Sequence, residues 1–191
     1  RGERPANAIW LWGSGRALTL QTIPQRFGIS GGVISAVDLV RGIGKSAGLE
    51  VIEVPDITGY LDTNFEGKAE YALAALTQGD FVYVHVEAPD EAGHNGDVQA
   101  KVKAIEDFDG RVVAPILAGL DRIGPCRILM APDHRTPIAL RTHSRDPVPF
   151  VLWGTDAEPD AMVAYGEKPA EQGSMQVGHG HLLMQYLMAN D

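Results

Sequence analysis

Two short apolar runs, each opening directly onto a polar stretch that carries Asp and His, constrain this chain more than any other feature. The first, residues 81–87 (FVYVHVE), has the β-branched and aromatic content of a buried strand and leads into APDEAGHNGD, with Asp90 and His94. The second, residues 127–131 (RILMA), leads into a polar stretch with Asp133, His134 and His143, and the chain turns apolar again at residues 148–153. Strands that deliver such clusters past their carboxyl ends belong in an open α/β sheet, because that is the edge where ligands bind. Two loops far apart in sequence are therefore expected to converge on neighbouring strands.

The remaining pattern fits that sheet. Residues 7–12 (NAIWLW) read as a buried strand ending at the Gly13-Ser14-Gly15 turn, and residues 31–35 (GGVIS) as a second strand. A helix over residues 36–47 stops at Gly48, and the alternating run 49–54 (LEVIEV) reads as a third strand ending at Pro55. The polar loop DITGYLDTNFEGKAEY precedes a helix over residues 67–78, with Thr63 or Asn64 as its cap. Val98, Val102, Ile105, Val112 and Ile116 recur at helical spacing, and this long helix should bend near Pro115. Late strands are expected at 148–153 and 162–165, with a closing helix over 181–188. Strand and helix alternating this often mean an α/β fold, a mostly parallel sheet with helices on both faces. At 191 residues the chain suits one domain.

Charge and motifs exclude several functions. A formal charge of -9 argues against nucleic acid or an anionic membrane as partner, since both demand a basic face. The lone Cys126 can form no internal disulfide, and the apolar stretches are strand-sized or carry Gly and Pro, so a cytoplasmic protein is expected. The short G-x-G at residues 13–15 is not followed by a dinucleotide fingerprint. Gly44-Lys45-Ser46 ends a helix instead of opening one, and the first Gly of a phosphate loop would fall on Leu39. Lys45 complements the helix dipole there.

A single Asp or His is most often a surface or capping residue; the spacing is what points to a metal. Asp90 and His94 are four residues apart, which can put both on one face of a helical turn, and Asp133, His134 and His143 add three ligands in one loop. Carboxylate and imidazole together suit Mn, Zn or Fe better than Ca or Mg. Five ligands exceed what one ion with an open position needs, which points to a two-metal centre clamping a phosphoryl group. His85, inside an apolar strand, reads as a satisfied core histidine, and His179 and His181 as the start of the last helix.

NAIWLWGSG, VISAVDLVRGIGKSAG, TGYLDTNFEGKAEYA, DFVYVHVEAPDEAGHNGD, KAIEDFD and APDHRTPIALRTHSRDPVPF together resemble the archaeal-type cofactor-independent (2,3-bisphosphoglycerate-independent) phosphoglycerate mutases of the alkaline phosphatase superfamily. The resemblance weakens after about Gly154. It implies an alkaline-phosphatase-like fold, with Asp90, His94 and His143 on one divalent ion and Asp133 and His134 on the other. It also implies a phosphoglycerate substrate, interconversion of its 2- and 3-phospho forms in glycolysis and gluconeogenesis, and a phosphoserine intermediate. The mixed ligands favour Mn, with Zn or Co as substitutes, and Lys68 is the cation expected to stabilise phosphoryl oxygens as a point charge. Members of that family are about twice as long. Their early part carries the nucleophilic Ser, a further metal-binding Asp and an inserted domain, none of which is recognisable here; Ser14 lies in the wrong motif. Residues 1–191 are thus expected to be the C-terminal part of the phosphatase domain, inactive alone. The competing expectations are another phosphohydrolase or phosphomutase of the same superfamily, and a metal-binding module without turnover.

Overall fold

The first strand, β1 (Gly31–Ile34), begins with two glycines because its neighbours leave no room for a side chain. A Cβ at Gly31 would lie 2.2 Å from the Phe81 carbonyl oxygen, and one at Gly32 would lie 2.4 Å from Ile52 Cδ1. β1 is the middle strand of a parallel three-stranded sheet, flanked by β2 (Glu50–Val51) and β3 (Phe81–Val84) in the order β2-β1-β3. The computed structural model describes residues 7–11, 13–16, 19–155 and 157–189.

Parallel neighbours require crossovers, and helices α2 (Asp38–Ser46) and α3 (Phe65–Leu76) supply them. A short α1 (Ile23–Phe27), capped by Thr22, precedes the sheet. Val33 meets α2 at Gly44, where a Cβ would come within 2.6 Å of Val33 Cγ1. The next residue, Ile34, packs with Ala72 of α3. Successive strand residues face opposite sides, so helices cover both faces of the sheet as expected. Asn64 is the cap of α3, its Oδ1 accepting from Gly67 N at 2.8 Å.

Behind α3 lies a helical rod made of α5 (Val98–Phe108), a π-helical turn (Asp109–Val113) and α6 (Ala114–Gly119). The expected bend at Pro115 takes the form of that widened turn just before it, since proline cannot donate back into the preceding turn. Two core clusters result. Phe65, Ala88, Ala104 and Val112 form one, Ile34, Val54 and Ala72 the other, and Val84 and Ile116 pack against both.

Several local expectations are corrected. Residues 7–11 form no strand: Ile9, Trp10 and Leu11 are 89%, 86% and 89% exposed, and Trp12 lies outside the described residues. A strand exists through its ladder, and no strand among the described residues pairs with this run. The run 49–54 pairs with β1 only at Gly32↔Glu50 and Val33↔Val51 before turning away. Residues 162–165 are not a strand, and Val163 is 99% exposed.

The largest correction concerns strand neighbours. β4 (Arg127–Met130) does not join the parallel sheet beside β3; it pairs antiparallel with β5 (Val151–Gly154) as a separate two-stranded sheet. The chain that leaves β4 folds back as one excursion and returns alongside it, which gives β4 a local ladder without any long crossover. The closing elements are α7 (Glu167–Ala170), a 3₁₀ turn (Gly180–Leu182) and α8 (Leu183–Met188). Among the described residues no helix is long and apolar enough to cross a membrane.

Candidate metal centre

Asp90 and His94 stand on a helix, α4 (Ala88–Asn95), and not on the loop expected after β3. Pro89 in its first turn is well placed, because the missing N–H would have no partner there. Gly96, with φ 70°, ends the helix in a left-handed cap. One helical turn separates the two side chains, so Asp90 Oδ2 lies 3.4 Å from His94 Nε2.

The other three residues come from the loop between β4 and β5. Asp133 Oδ1 accepts from the His134 backbone N at 3.0 Å, which stiffens the Asp-His step. A bridge between Arg135 and Ser144 then pinches the loop and brings His143 back over His134, where the rings stack with centroids 3.7 Å apart. His143 Nε2 lies 3.4 Å from Asp90 Oδ1 and 3.1 Å from His94 Nε2. His134 Nε2 lies 3.3 Å from Asp133 Oδ2. All five predicted ligands therefore form one connected cluster. Asp90, His134 and His143 can each offer one ligand atom with all three within 4.8 Å of one another.

Hydrogen bonding decides what His94 offers. Its Nδ1 lies 3.0 Å from the Arg141 carbonyl, which can only accept, so Nδ1 carries the proton and Nε2 presents a lone pair. Arg141 has φ 53°, a backbone cost that an arginine rarely bears, and that conformation helps place the carbonyl. The Nε2 lone pair then faces the Asp90 carboxylate at 3.4 Å. Two acceptors facing each other repel unless a proton or cation lies between them, so this donor set fits a divalent ion of the kind that accepts both oxygen and imidazole nitrogen.

Beneath the cluster is a layer of buried polar groups. Ser35, 1% exposed at the end of β1, lies with its Oγ 3.1 Å from His85 Nδ1. Lys68, also 1% exposed, donates from Nζ to the His85 carbonyl at 2.9 Å. Burial pulls its pKa down to about 8, against the charge of Glu87, which pulls the other way. Burial likewise lowers His85, with Asp133 and Asp90 opposing and Lys68 and His134 adding to the shift. Glu87 is raised by burial and by Glu91 and Asp90. Its carboxylate lies against Gly59, where a Cβ would come within 2.3 Å of Glu87 Oε2 and push that carboxylate aside.

Lys68 is thus a buried charge held against the His85 carbonyl and not an exposed contact. His85 is partnered, as a core histidine should be, yet it feels the charges of Asp133, Asp90 and His134 and lies beneath them. His179 and His181 stack on each other at 5.6 Å beside the 3₁₀ turn, in line with a helix start. Ser35, Glu87 and Thr136 were not legible as site residues. Only Thr136 had a signal, its place two residues after His134 in the Asp-His-Arg-Thr-Pro run.

The depressed Lys68 pKa has a consequence for stability. The unfolded chain binds this proton up to an ordinary 10.5, the folded chain only up to about 8. Stability is therefore expected to rise as pH goes from about 8 to about 10.5, by up to about 3 kcal/mol, and to be lowest once Lys68 is charged in both states. Lys68→Met should lack this rise. Urea titrations of both proteins across that range check it, and parallel pH profiles would refute it.

The chain matches the Metalloenzyme superfamily over residues 3–190. A probable 2,3-bisphosphoglycerate-independent phosphoglycerate mutase of Geobacter sulfurreducens is 54% identical over 98% of this chain and 47% of that relative. A 2,3-bisphosphoglycerate-independent phosphoglycerate mutase of Methanosarcina acetivorans is 54% identical over 91% of this chain and 44% of that relative. The chain thus spans about half the length of the curated relatives it matches. The solved structure of the PH0037 protein from Pyrococcus horikoshii superimposes with a TM-score of 0.81 at 28% identity, over 90% of this chain and 51% of that one. A match running almost end to end, on a chain that gathers carboxylate and imidazole ligands at one point, places it by descent: the chain belongs to the metalloenzyme superfamily.

Proposed function

We propose that this chain is the metal-binding portion of a 2,3-bisphosphoglycerate-independent phosphoglycerate mutase, which interconverts 3-phosphoglycerate and 2-phosphoglycerate. The observation that carries the reading is the convergence of Asp90, His94, Asp133, His134 and His143 from two separated segments. The named relatives support the choice of reaction. In this reading the chain is the C-terminal part of a phosphatase-like domain, and another segment supplies the nucleophilic Ser, a further carboxylate and most of the substrate clamp. The protein works in the cytoplasm, in glycolysis and gluconeogenesis, on a small phosphorylated substrate.

Asp90, His94 and His143 would hold one ion and Asp133 and His134 the other. The ions, Mn by preference with Zn or Co as substitutes, would supply Lewis acidity for the nucleophile and neutralise charge on the transferring phosphoryl group. The protein's own part is to hold these ligands at fixed separations and to keep Lys68 behind them. From there its charge adds to the positive field without offering a flexible surface contact.

The test is an assay of the full-length enzyme stripped with a chelator. Mutase activity should vanish and return best with Mn, and Lys68→Met should lower kcat by on the order of 10²-fold. Full activity with metal content verified as nil would overturn the reading.

A further inference from the structure

Thr136 is a buried polar residue, 4% exposed, wedged into the centre of the ligand cluster. Its hydroxyl donates to Asp90 Oδ1 and lies 3.3 Å from His134 Nδ1. A hydroxyl has one proton to give, and the carboxylate is the stronger acceptor. The oxygen is then left to accept, which requires the proton of His134 to sit on Nδ1. His134 must in that case present its lone pair from Nε2, the atom 3.3 Å from Asp133 Oδ2.

The position of Thr136 is itself enforced. Lys101, on α5, donates from Nζ to the Thr136 carbonyl at 2.6 Å. Burial lowers the Lys101 pKa, while the charges of Asp90 and Glu167 oppose that shift. Gly93 on α4 allows the contact, since a Cβ there would come within 2.6 Å of the Thr136 carbonyl oxygen and 2.9 Å of Lys101 Nζ. Helices α4 and α5 and the loop after β4 are thereby locked together at Thr136.

We propose that Thr136, held by Lys101, is a positioning residue that sorts the five ligands into two sets. Its hydroxyl donates to Asp90 and accepts from His134 Nδ1–H, turning His134 toward Asp133 and leaving Asp90 to His94 and His143. This rests on the two-ion reading above, yet half of it concerns the tautomer of one imidazole and is testable without any ion. Without the hydroxyl, His134 is free to protonate either nitrogen, and its Nδ1 lone pair competes for the ion at Asp90, 3.9 Å away. Ligand sets blurred in this way bind both ions less well.

The experiment uses three proteins, the wild type, Thr136→Val, which keeps the volume and removes the hydroxyl, and Thr136→Ser, which restores it. Imidazole nitrogen NMR of the metal-free proteins should show His134 as the Nδ1–H tautomer in wild type and Thr136→Ser. In Thr136→Val the Nε2–H form should gain population. Calorimetric titration with Mn should then show an affinity about 10- to 100-fold weaker in Thr136→Val and near wild type in Thr136→Ser. If Thr136→Val does not fold, Lys101→Met takes its place and should shift both readouts in the same direction. An Nε2–H tautomer in the wild type, or equal Mn affinity in wild type and Thr136→Val, overturns the proposal. A wild type that binds no Mn while His134 keeps the Nδ1–H form overturns the two-ion reading instead and leaves the hydrogen-bond assignment standing.

Discussion

Asp90→Ala is expected to weaken divalent-ion binding by roughly 10²–10³-fold, the largest effect of any single ligand change. Four-ligand protein sites reach about 10–16 kcal/mol, so one ligand contributes about 3 kcal/mol. Asp90 also does more than an average ligand. Its two oxygens face His94, His143 and His134 and accept the Thr136 hydroxyl, so its loss leaves three imidazoles without the anion between them. Asp133 stays beside His134, but the stacked His134 and His143 and the adjacent His94 then lack the carboxylate between them that offsets a cation's charge. Mn titration by calorimetry checks the expectation, with His181→Ala, which lies outside the cluster, as the control that should bind normally. Equal affinity in Asp90→Ala and the control would sink the metal assignment.

Phe65→Ala is expected to destabilise the fold by about 3–5 kcal/mol, a drop of about 6–20 °C in Tm. Phe65 is fully buried at the start of α3 and packs with Ala88, Ala104 and Val112, residues from three other elements. Three of those neighbours-in-space are too small or too fixed to collapse into the space a benzyl group leaves, so the cavity persists. The ring also carries the Arg111 guanidinium 4.9 Å above it, and Arg111 in turn pairs with Glu66 Oε2 at 2.8 Å. Because Lys68 sits one turn further along the same helix, the loosened α3 should also lower the contrast between Lys68 in water and Lys68 buried. Thermal and urea unfolding measure the effect, and a loss below about 1 kcal/mol would mean that this cluster is not a rigid core.

What could be read before folding follows from short-range physics. Asn64 as a cap, Gly48 as a helix stop and the strand character of residues 81–84 depend on a few neighbouring residues, and the folded chain keeps them. Residues 7–11 show the limit. Their apolar content resembles that of residues 81–84, but an apolar run becomes a strand only if another strand offers it hydrogen bonds. The same limit explains β4, whose composition suits either sheet; its antiparallel partner was decided by where the loop returned.

Residue type and local periodicity were enough for the α/β class, for the helix spacing of Asp90 and His94, and for singling out five Asp and His residues that the folded chain brings together. Tertiary structure alone decided that the two segments meet without neighbouring strands, that Lys68 lies buried behind His85, and that Thr136 stands between Asp90 and His134. Each of these is a contact between residues at least 17 positions apart or a choice among hydrogen-bond partners around one atom. Local sequence carries no record of such choices; the packing of α4, α5 and the loop after β4 around Gly93 makes them.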